Sequence, residues 1–137
     1  FEPSRFKTKP GKRCYDQAKK WKAVNYERVD ETSPQFEYLL KHKLASGDPV
    51  VFGISVYDSI ENVITTQTGY VAIPGPNNKC LGGHAILLTG FNDAKAEFEF
   101  RNSWGTGWGD GGYGVLPYKY VTDRDLAADF WTIGIVP

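Results

Sequence analysis

Two side chains in this sequence stand at a spacing that could do acid–base chemistry. His84 precedes Asn102 by eighteen positions, and Asn102 opens the run Asn-Ser-Trp-Gly. Imidazole is the side chain whose ordinary pKa lies near neutrality, so it can take up and return a proton at physiological pH. A carboxamide oxygen that accepts from one ring N–H fixes the tautomer and aims the other nitrogen outward, the orienting role in a nucleophile–base–orienter triad. The same pair at a strand end can also be a hydrogen-bonded structural contact. Spacing alone leaves both readings open.

The elements that must position the pair are legible. "HAILLTGF" and "AEFEFRN" flank "NDAK", which has turn chemistry, so this stretch predicts a β-hairpin. With the turn centred near Asp93, His84 and Asn102 stand nine residues to either side and face each other, within one or two residues of register. Directly opposed side chains have Cβ atoms roughly 5 Å apart. Phe98 and Phe100 alternate with Glu97, Glu99 and Arg101, which places Asn102 and Trp104 on the inward, apolar side. His84 shares parity with Ile86 and Leu88. The expectation is a His–Asn pair at the end of a buried face, with the Trp104 indole shielding it from water.

Upstream, "FEPSRFKTKPGKR" (1–13) reads as a basic extended arm. "CYDQAKKW" suggests a short helix and "KAVNYERV" a strand. Ser33 is a good N-cap with Pro34 at the first helical position; Phe36, Leu39, Leu40 and Leu44 follow at helical spacing, and Gly47 stops the helix. "PVVFGISV" (49–56) reads as a buried strand. Residues 57–80 form a long connection with a short strand at Tyr70–Ile73. "GYGVLPY" and "DFWTIGIV" complete the strands. The predicted fold is α+β, predominantly an antiparallel β-sheet or partial barrel with one or two short helices. An N-terminal arm, strand and helix (1–48) and a β-rich part carrying the His and Asn (49–137) together form one domain.

Composition is compatible with that fold. The chain has 137 residues, 41 % hydrophobic and 15 % aromatic, enough apolar surface for a core. Sixteen basic residues balance sixteen acidic ones, so charge provides no argument for nucleic acid or an anionic membrane as partner, and neither is expected. No apolar run approaches the ~18 residues of a membrane span. The chain opens on Phe1 without a signal-peptide pattern and reads as trimmed or excised from something longer; its compartment is not legible.

"GGHAILLTGF" followed by "FRNSWGTGWGDGGYGVLPYKYV" resembles the C-terminal half of a papain-like cysteine peptidase. In that family the His motif is followed by an Asn-Ser-Trp-Gly-x-x-Trp-Gly-x-x-Gly-Tyr block. Here the block is Asn102, Ser103, Trp104, Gly105, Trp108, Gly109, Gly112 and Tyr113, without a gap. The match covers residues 49–120 well, and the Leu-Pro-Tyr ending and "DFWTI" tail resemble the bacterial and viral branches. The resemblance implies the right-hand domain of a two-domain enzyme that cleaves peptide bonds and needs no metal or cofactor. It implies His84 as the general base that holds a cysteine as thiolate, Asn102 as its orienter and Trp104 as the cover over the pair. It aligns Gly53 with a specificity-pocket wall that leaves room for a sizeable side chain, with Gly83 and Ala85 beside it. Gly83 departs from the family, where Asp or Asn often precedes the histidine.

The resemblance also implies what the chain lacks. The family's cysteine sits in C-G-[SA]-C-[WY], with the histidine ~130–150 residues downstream, so the nucleophile precedes Phe1 by roughly fifty residues or more. The glutamine that donates to the oxyanion is missing with it. "KRCYDQ" around Cys14 lacks the small residues that surround such a nucleophile. Cys80 lies four residues before His84, ~13 Å along a strand, too far for a hydrogen bond unless the chain folds back at Gly82–Gly83. Both cysteines are expected as structural thiols or a disulfide. The expected partners are a nucleophile-bearing N-terminal half and a peptide or protein substrate; the alternative is a papain-like scaffold kept as a binding or structural module. "GWGDGG" (107–112) satisfies G-x-G-x-x-G, but no helix pattern follows, which argues against a phosphate site. Two Cys and two His lack zinc spacing, and His42 is expected as a solvated helix residue.

Overall fold

The computed structural model describes residues 3–136. Six strands form one sheet in the order β1-β6-β2-β3-β4-β5, with every neighbouring pair antiparallel. They are β1 (Lys22–Arg28), β2 (Val50–Tyr57), β3 (Cys80–Asn92), β4 (Glu97–Arg101), β5 (Tyr113–Pro117) and β6 (Ala127–Val136). Four short helices accompany them: α1 (Lys12–Ala18), α2 (Phe36–Ala45), α3 (Val63–Thr68) and α4 (Tyr118–Thr122). The α+β class and the antiparallel sheet are as predicted, with more helices than the one or two expected. The arm expected over 1–13 includes residues 1 and 2, which lie outside the described residues; its remainder holds a 3-10 turn at Pro3–Arg5 and the start of α1.

The sheet is amphipathic, and its buried face carries the core. Along β2 the buried positions are Val50, Phe52, Ile54 and Val56, while the residues between them are half-buried. The strand is therefore covered on one face, not buried on both as its continuous apolar run suggested. Ile86, Leu88, Phe98, Phe100 and Leu116 extend the same layer across β3, β4 and β5. Helix α2 closes over it with Phe36 and Leu40; Phe36 meets Phe130 edge-on at 4.8 Å, and Phe130 stacks on Phe52 at 4.9 Å. Such ring pairs add about 0.5–1.5 kcal/mol each beyond the area they bury.

Helix α2 starts at Phe36, not at Pro34. Ser33 caps the preceding turn instead: its hydroxyl accepts from the Gln35 N–H at 3.1 Å, and its carbonyl accepts from Phe36 N–H. Gly47 ends the helix region with φ +85°, a conformation that costs other residues a Cβ clash.

The connection 57–80 contains α3 where a loop was expected. Its run "VITTQT" is rich in β-branched residues, which disguises a helix. The local signals were the cap residues: Asn62 Oδ1 accepts from Thr65 N–H at 2.8 Å, and Gly69 terminates the helix in the left-handed region. Tyr70–Ile73 is not a strand; Tyr70 makes a single parallel bridge to Val115. At the other end of the chain, β5 begins at Tyr113, Pro117 closes it and Tyr118 begins α4, so the expected strand "GYGVLPY" is shorter by one residue at each end.

The β3–β4 register also differs from expectation. Leu87 pairs with Arg101 and Leu88 with Phe100; after a bulge at Thr89, Phe91 pairs with Phe98 and Asn92 with Glu97. The turn takes in Ala96, whose φ is +53°, so the hairpin is centred one to two residues beyond Asp93. That displacement moves every predicted pairing by two or three positions.

Candidate active site

His84 sits in β3 opposite Ile54 of β2, not opposite Asn102. Strand β4 ends at Arg101, and from there the chain leaves the ladder. Asn102 N–H donates to Gly112 O at 2.9 Å, which holds the start of the β4–β5 loop against its end. This departure brings the Asn102 side chain back toward β3, where its Oδ1 lies 2.9 Å from His84 Nε2.

The hydrogen atoms of this contact follow from its neighbours. Asn102 Oδ1 also accepts from the Ser103 backbone N–H at 2.8 Å. A backbone amide only donates, so the atom it meets is the carboxamide oxygen, and His84 Nε2 must then carry the proton. The neutral ring therefore keeps its lone pair on Nδ1. Asn102 itself is buried, at 8 % exposure, and its Nδ2 has no hydrogen-bond partner among the described residues.

Trp104 stacks on the imidazole with ring centroids 4.9 Å apart and planes 18° from parallel. It is 45 % exposed, so it covers the ring from the solvent side and is not on the buried face that strand parity suggested. Parity ceases to apply once the chain leaves β4. Trp108, which is buried, meets Trp104 edge-to-face at 5.5 Å and Phe100 at 5.9 Å. The loop that carries both indoles needs its glycines: Gly105 and Gly109 have φ of +83° and +59°, and a Cβ on Gly109 would collide with the Tyr113 carbonyl.

Gly53, Gly83 and Ala85 line one groove of about 360 Å³ together with His84. Leu126, Ala127 and Ala128 form its far wall, because β6 lies beside β2 with Gly53 paired to Ala128 and Ile54 to Ala127. Nothing in the residue types of Leu126–Ala128 marks them as lining residues; only a strand pairing between distant segments brings them here. A second groove, of about 460 Å³, is lined by Val51, Ala85, Leu87, Asn102, Ser103 and Thr106 among others.

The remaining candidates lie apart from this site. Cys14 and Cys80 are free, exposed thiols, and no disulfide joins them. Cys80 is paired with Tyr57 on the same extended strand as His84, four residues away. His42 is exposed on α2, its ring tilted against Tyr38 at 6.0 Å. The glycine run at 107–112 is a loop followed by β5. Among the described residues no three His, Cys, Asp or Glu side chains converge as metal ligands would, and no helix is long and apolar enough to cross a membrane.

A model of the papain family of cysteine proteases matches residues 2–125. The chain is 41 % identical to an uncharacterized peptidase C1-like protein of Acanthamoeba polyphaga mimivirus, over 97 % of this chain and 44 % of that protein. Its fold is similar to that of xylellain, a cysteine protease of Xylella fastidiosa: TM-score 0.84 and 39 % identity, covering 95 % of this chain and 47 % of that one. The Carica candamarcensis cysteine protease CMS1MS2 shares the fold at a TM-score of 0.55 and 23 % identity, over 82 % of this chain and 49 % of its own. The chain thus spans about half the length of the relatives it matches.

Proposed function

We propose a reading whose premise is membership: the chain belongs to the papain family of cysteine proteases. Within it, His84 is the general base of a peptide-bond hydrolase and Asn102 is its orienter, while the nucleophilic cysteine and the oxyanion-stabilising glutamine come from an N-terminal half. Residues 1–48 and 49–137 together form one domain of the two-domain enzyme. The observation that carries this reading is the 2.9 Å contact from His84 Nε2 to Asn102 Oδ1 beneath the Trp104 ring.

The chemistry follows from the tautomer. With Nε2–H held by Asn102, Nδ1 accepts the proton of an incoming thiol and leaves a thiolate beside an imidazolium. The thiolate attacks the peptide carbonyl carbon, and the negative charge moves to the carbonyl oxygen. As the C–N bond breaks, the imidazolium gives its proton to the departing amine, leaving a thioester and a neutral ring. His84 then takes a proton from water, whose hydroxide oxygen attacks the thioester. Collapse releases the carboxylic acid, and the thiolate–imidazolium pair is restored. The groove at Gly53, Gly83 and Ala85 accepts a substrate side chain, since glycines leave its floor open. The groove beside Leu87 and Ser103 receives the nucleophile-bearing half.

Cys80 lies four residues from His84 along the extended strand β3, so this reading takes the nucleophile from the other half. The test joins this chain to the nucleophile-bearing half of xylellain and follows cleavage of a fluorogenic peptide. Activity that disappears in His84→Ala supports the reading. A folded chimera without activity, in which His84 keeps its Nε2–H, favours the non-catalytic scaffold. Alkylation provides a second check: His84→Ala leaves the rates at Cys14 and Cys80 unchanged, and a His84-dependent rate at either would overturn the assignment.

A further inference from the structure

Asp129 of β6 has φ +63°, in the left-handed region that glycine favours, and it sits where the β2–β6 ladder slips. Trp131 pairs with Val51, but Gly53, two residues further along β2, pairs with Ala128, three residues back along β6. Strand β6 therefore accommodates one extra residue, a bulge of the kind that re-aims side chains beside a site. Its consequence lies in the groove beside His84. Continued without the extra residue, the ladder would put Asp129 opposite Gly53 and Ala128 opposite Ile54. The bulge brings Ala128 and Ala127 to those positions instead, and the Ala128 carbonyl oxygen stands 3.5 Å from where a Gly53 Cβ would be. The far wall of the groove thus carries methyl groups opposite Gly53 and Ile54, where the unbroken ladder would bring in a carboxylate.

A strained residue keeps its conformation only where its surroundings hold it. The hold on Asp129 comes from Glu31, 98 residues away in the sequence. Glu31 Oε2 accepts from the Asp129 backbone N–H at 2.9 Å, so the amide of the bulged residue has a side chain as its acceptor. Glu31 is itself tied on two sides. Its Oε1 accepts from Arg28 Nη2 at 3.1 Å, and its backbone carbonyl accepts from Arg124 Nη2 at 3.1 Å. Arg28 is the last residue of β1, and Arg124 lines the same groove. The Asp129 carboxylate is engaged elsewhere: its Oδ1 accepts from Trp131 Nε1 at 2.7 Å.

We infer that Glu31 is a positioning residue for this groove: its carboxylate pins the left-handed bulge at Asp129 and so keeps Ala128, not Asp129, opposite Gly53. The inference rests on the proposed function only in what it means for substrate. An alanine wall takes an apolar side chain, whereas an aspartate in its place would draw a basic one. The register itself is a property of this chain.

The experiment therefore begins with the chain alone, by amide hydrogen exchange and by the cross-strand nuclear Overhauser contact between Gly53 and Ala128. In the wild type the Asp129 amide is protected and the contact is present. Glu31→Ala loses both, while the β2–β3 amides stay protected. Adding Asp129→Gly, which adopts a positive φ without strain, restores the Gly53–Ala128 contact in the Glu31→Ala background. A folded Glu31→Ala chain with wild-type protection and contact overturns the inference. So does a double variant that fails to regain the contact, since Glu31 then acts through something other than the strained residue; that arm decides even where Glu31→Ala alone does not fold. The consequence for substrate is read in the joined enzyme, with peptides that carry leucine or lysine at one position at a time. At the position whose side chain enters the groove, Glu31→Ala lowers the leucine-to-lysine ratio of kcat/KM by about tenfold or more, chiefly through KM. A bulge lost in the isolated chain with that ratio unmoved at every position overturns the reading of the groove as a substrate site, and leaves the pinning by Glu31 supported.

Discussion

His84 and Asn102 are hydrogen-bonded at 2.9 Å without being cross-strand partners; the ladder pairs His84 with Ile54, and Asn102 lies past the end of β4. The contact is therefore made by a side chain on a loop that is tied down by the Asn102–Gly112 backbone hydrogen bond. Asn102→Ala should leave the strands intact and release the ring. In the isolated chain, His84 should show a mixture of Nε2–H and Nδ1–H forms by nitrogen-15 shift. In the joined enzyme Asn102→Ala should lower kcat, and His84→Ala should cost on the order of 10²–10⁴-fold, the usual contribution of a positioned proton carrier.

Lys41 of α2 ties the helix to the β3–β4 turn. Its Nζ lies 2.7 Å from Asp93 Oδ1 and 2.7 Å from Glu37 Oε1, over the Tyr118 ring at 4.2 Å, and the Tyr118 hydroxyl donates to Asp93 at 2.9 Å. The hydrogen bonds from Lys41 and then from Tyr118 hold the Asp93 carboxyl below its ordinary range. A carboxylate lowered in the fold stabilises it above the unfolded value of about 3.9 and loses that contribution as pH falls through the folded value. Asp93→Asn should be less stable than wild type at pH 7, and the gap should close as the pH is taken below 4. Urea midpoints measured from pH 7 to pH 2 give the comparison; a gap independent of pH would show that the clamp does not act through its charge.

Tyr120 is 2 % exposed and its hydroxyl donates to the Ser55 carbonyl at 2.6 Å, linking α4 to β2. Burial pushes its ionisation up to about 12, with smaller contributions from Tyr57 and Cys80. Because the folded value lies above the unfolded value of about 10, the contribution is complete below pH 10 and is lost as pH rises from there toward the folded value. Tyr120→Phe should cost about 1 kcal/mol at neutral pH, the net worth of one such hydrogen bond. Its stability should fall less steeply than the wild type's above pH 10, as read from denaturation midpoints at pH 8 to 11.

Gly114 in β5 has no room for a side chain. A Cβ there would stand 2.5 Å from the Gly69 carbonyl oxygen and 2.7 Å from Phe100 Cζ. Neither neighbour can yield, since one is the backbone that ends α3 and the other is the core ring behind Trp108. Gly114→Ala should destabilise the fold by roughly 1–3 kcal/mol through overpacking, seen as a lower thermal midpoint. It should also displace Phe100 and with it the stack on His84, so the His84 ring shifts should change in the same variant.

Much of this architecture is written in local pattern. The alternation of Phe98 and Phe100 with Glu97, Glu99 and Arg101 foretold β4 and its buried face, as the run at 49–56 foretold β2. The spacing of Phe36, Leu40 and Leu44 with Gly47 foretold α2. Helix α3 was hidden because its β-branched residues favour a strand and its caps outweigh them only once Gly69 is packed beneath Tyr113. The block from Asn102 to Tyr113 carries the family resemblance in its residue types alone.

Residue types and the Asn102–Tyr113 block thus marked His84 and Asn102 as a pair, and alternation marked the strands around them, although the hairpin arithmetic that set the two face to face gave the wrong register. Three features were decided only by the tertiary structure. The register was set by Ala96 and the bulge at Thr89, because one extra turn residue shifts a whole ladder and leaves no mark in the alternation. The groove beside His84 was completed by Ala127 and Ala128, because strand neighbours far apart in sequence are chosen by which faces can be buried together. The Trp104 ring was laid over His84 by a loop that leaves the ladder after β4, since such a stack depends on packing in three dimensions, which no spacing along one strand encodes.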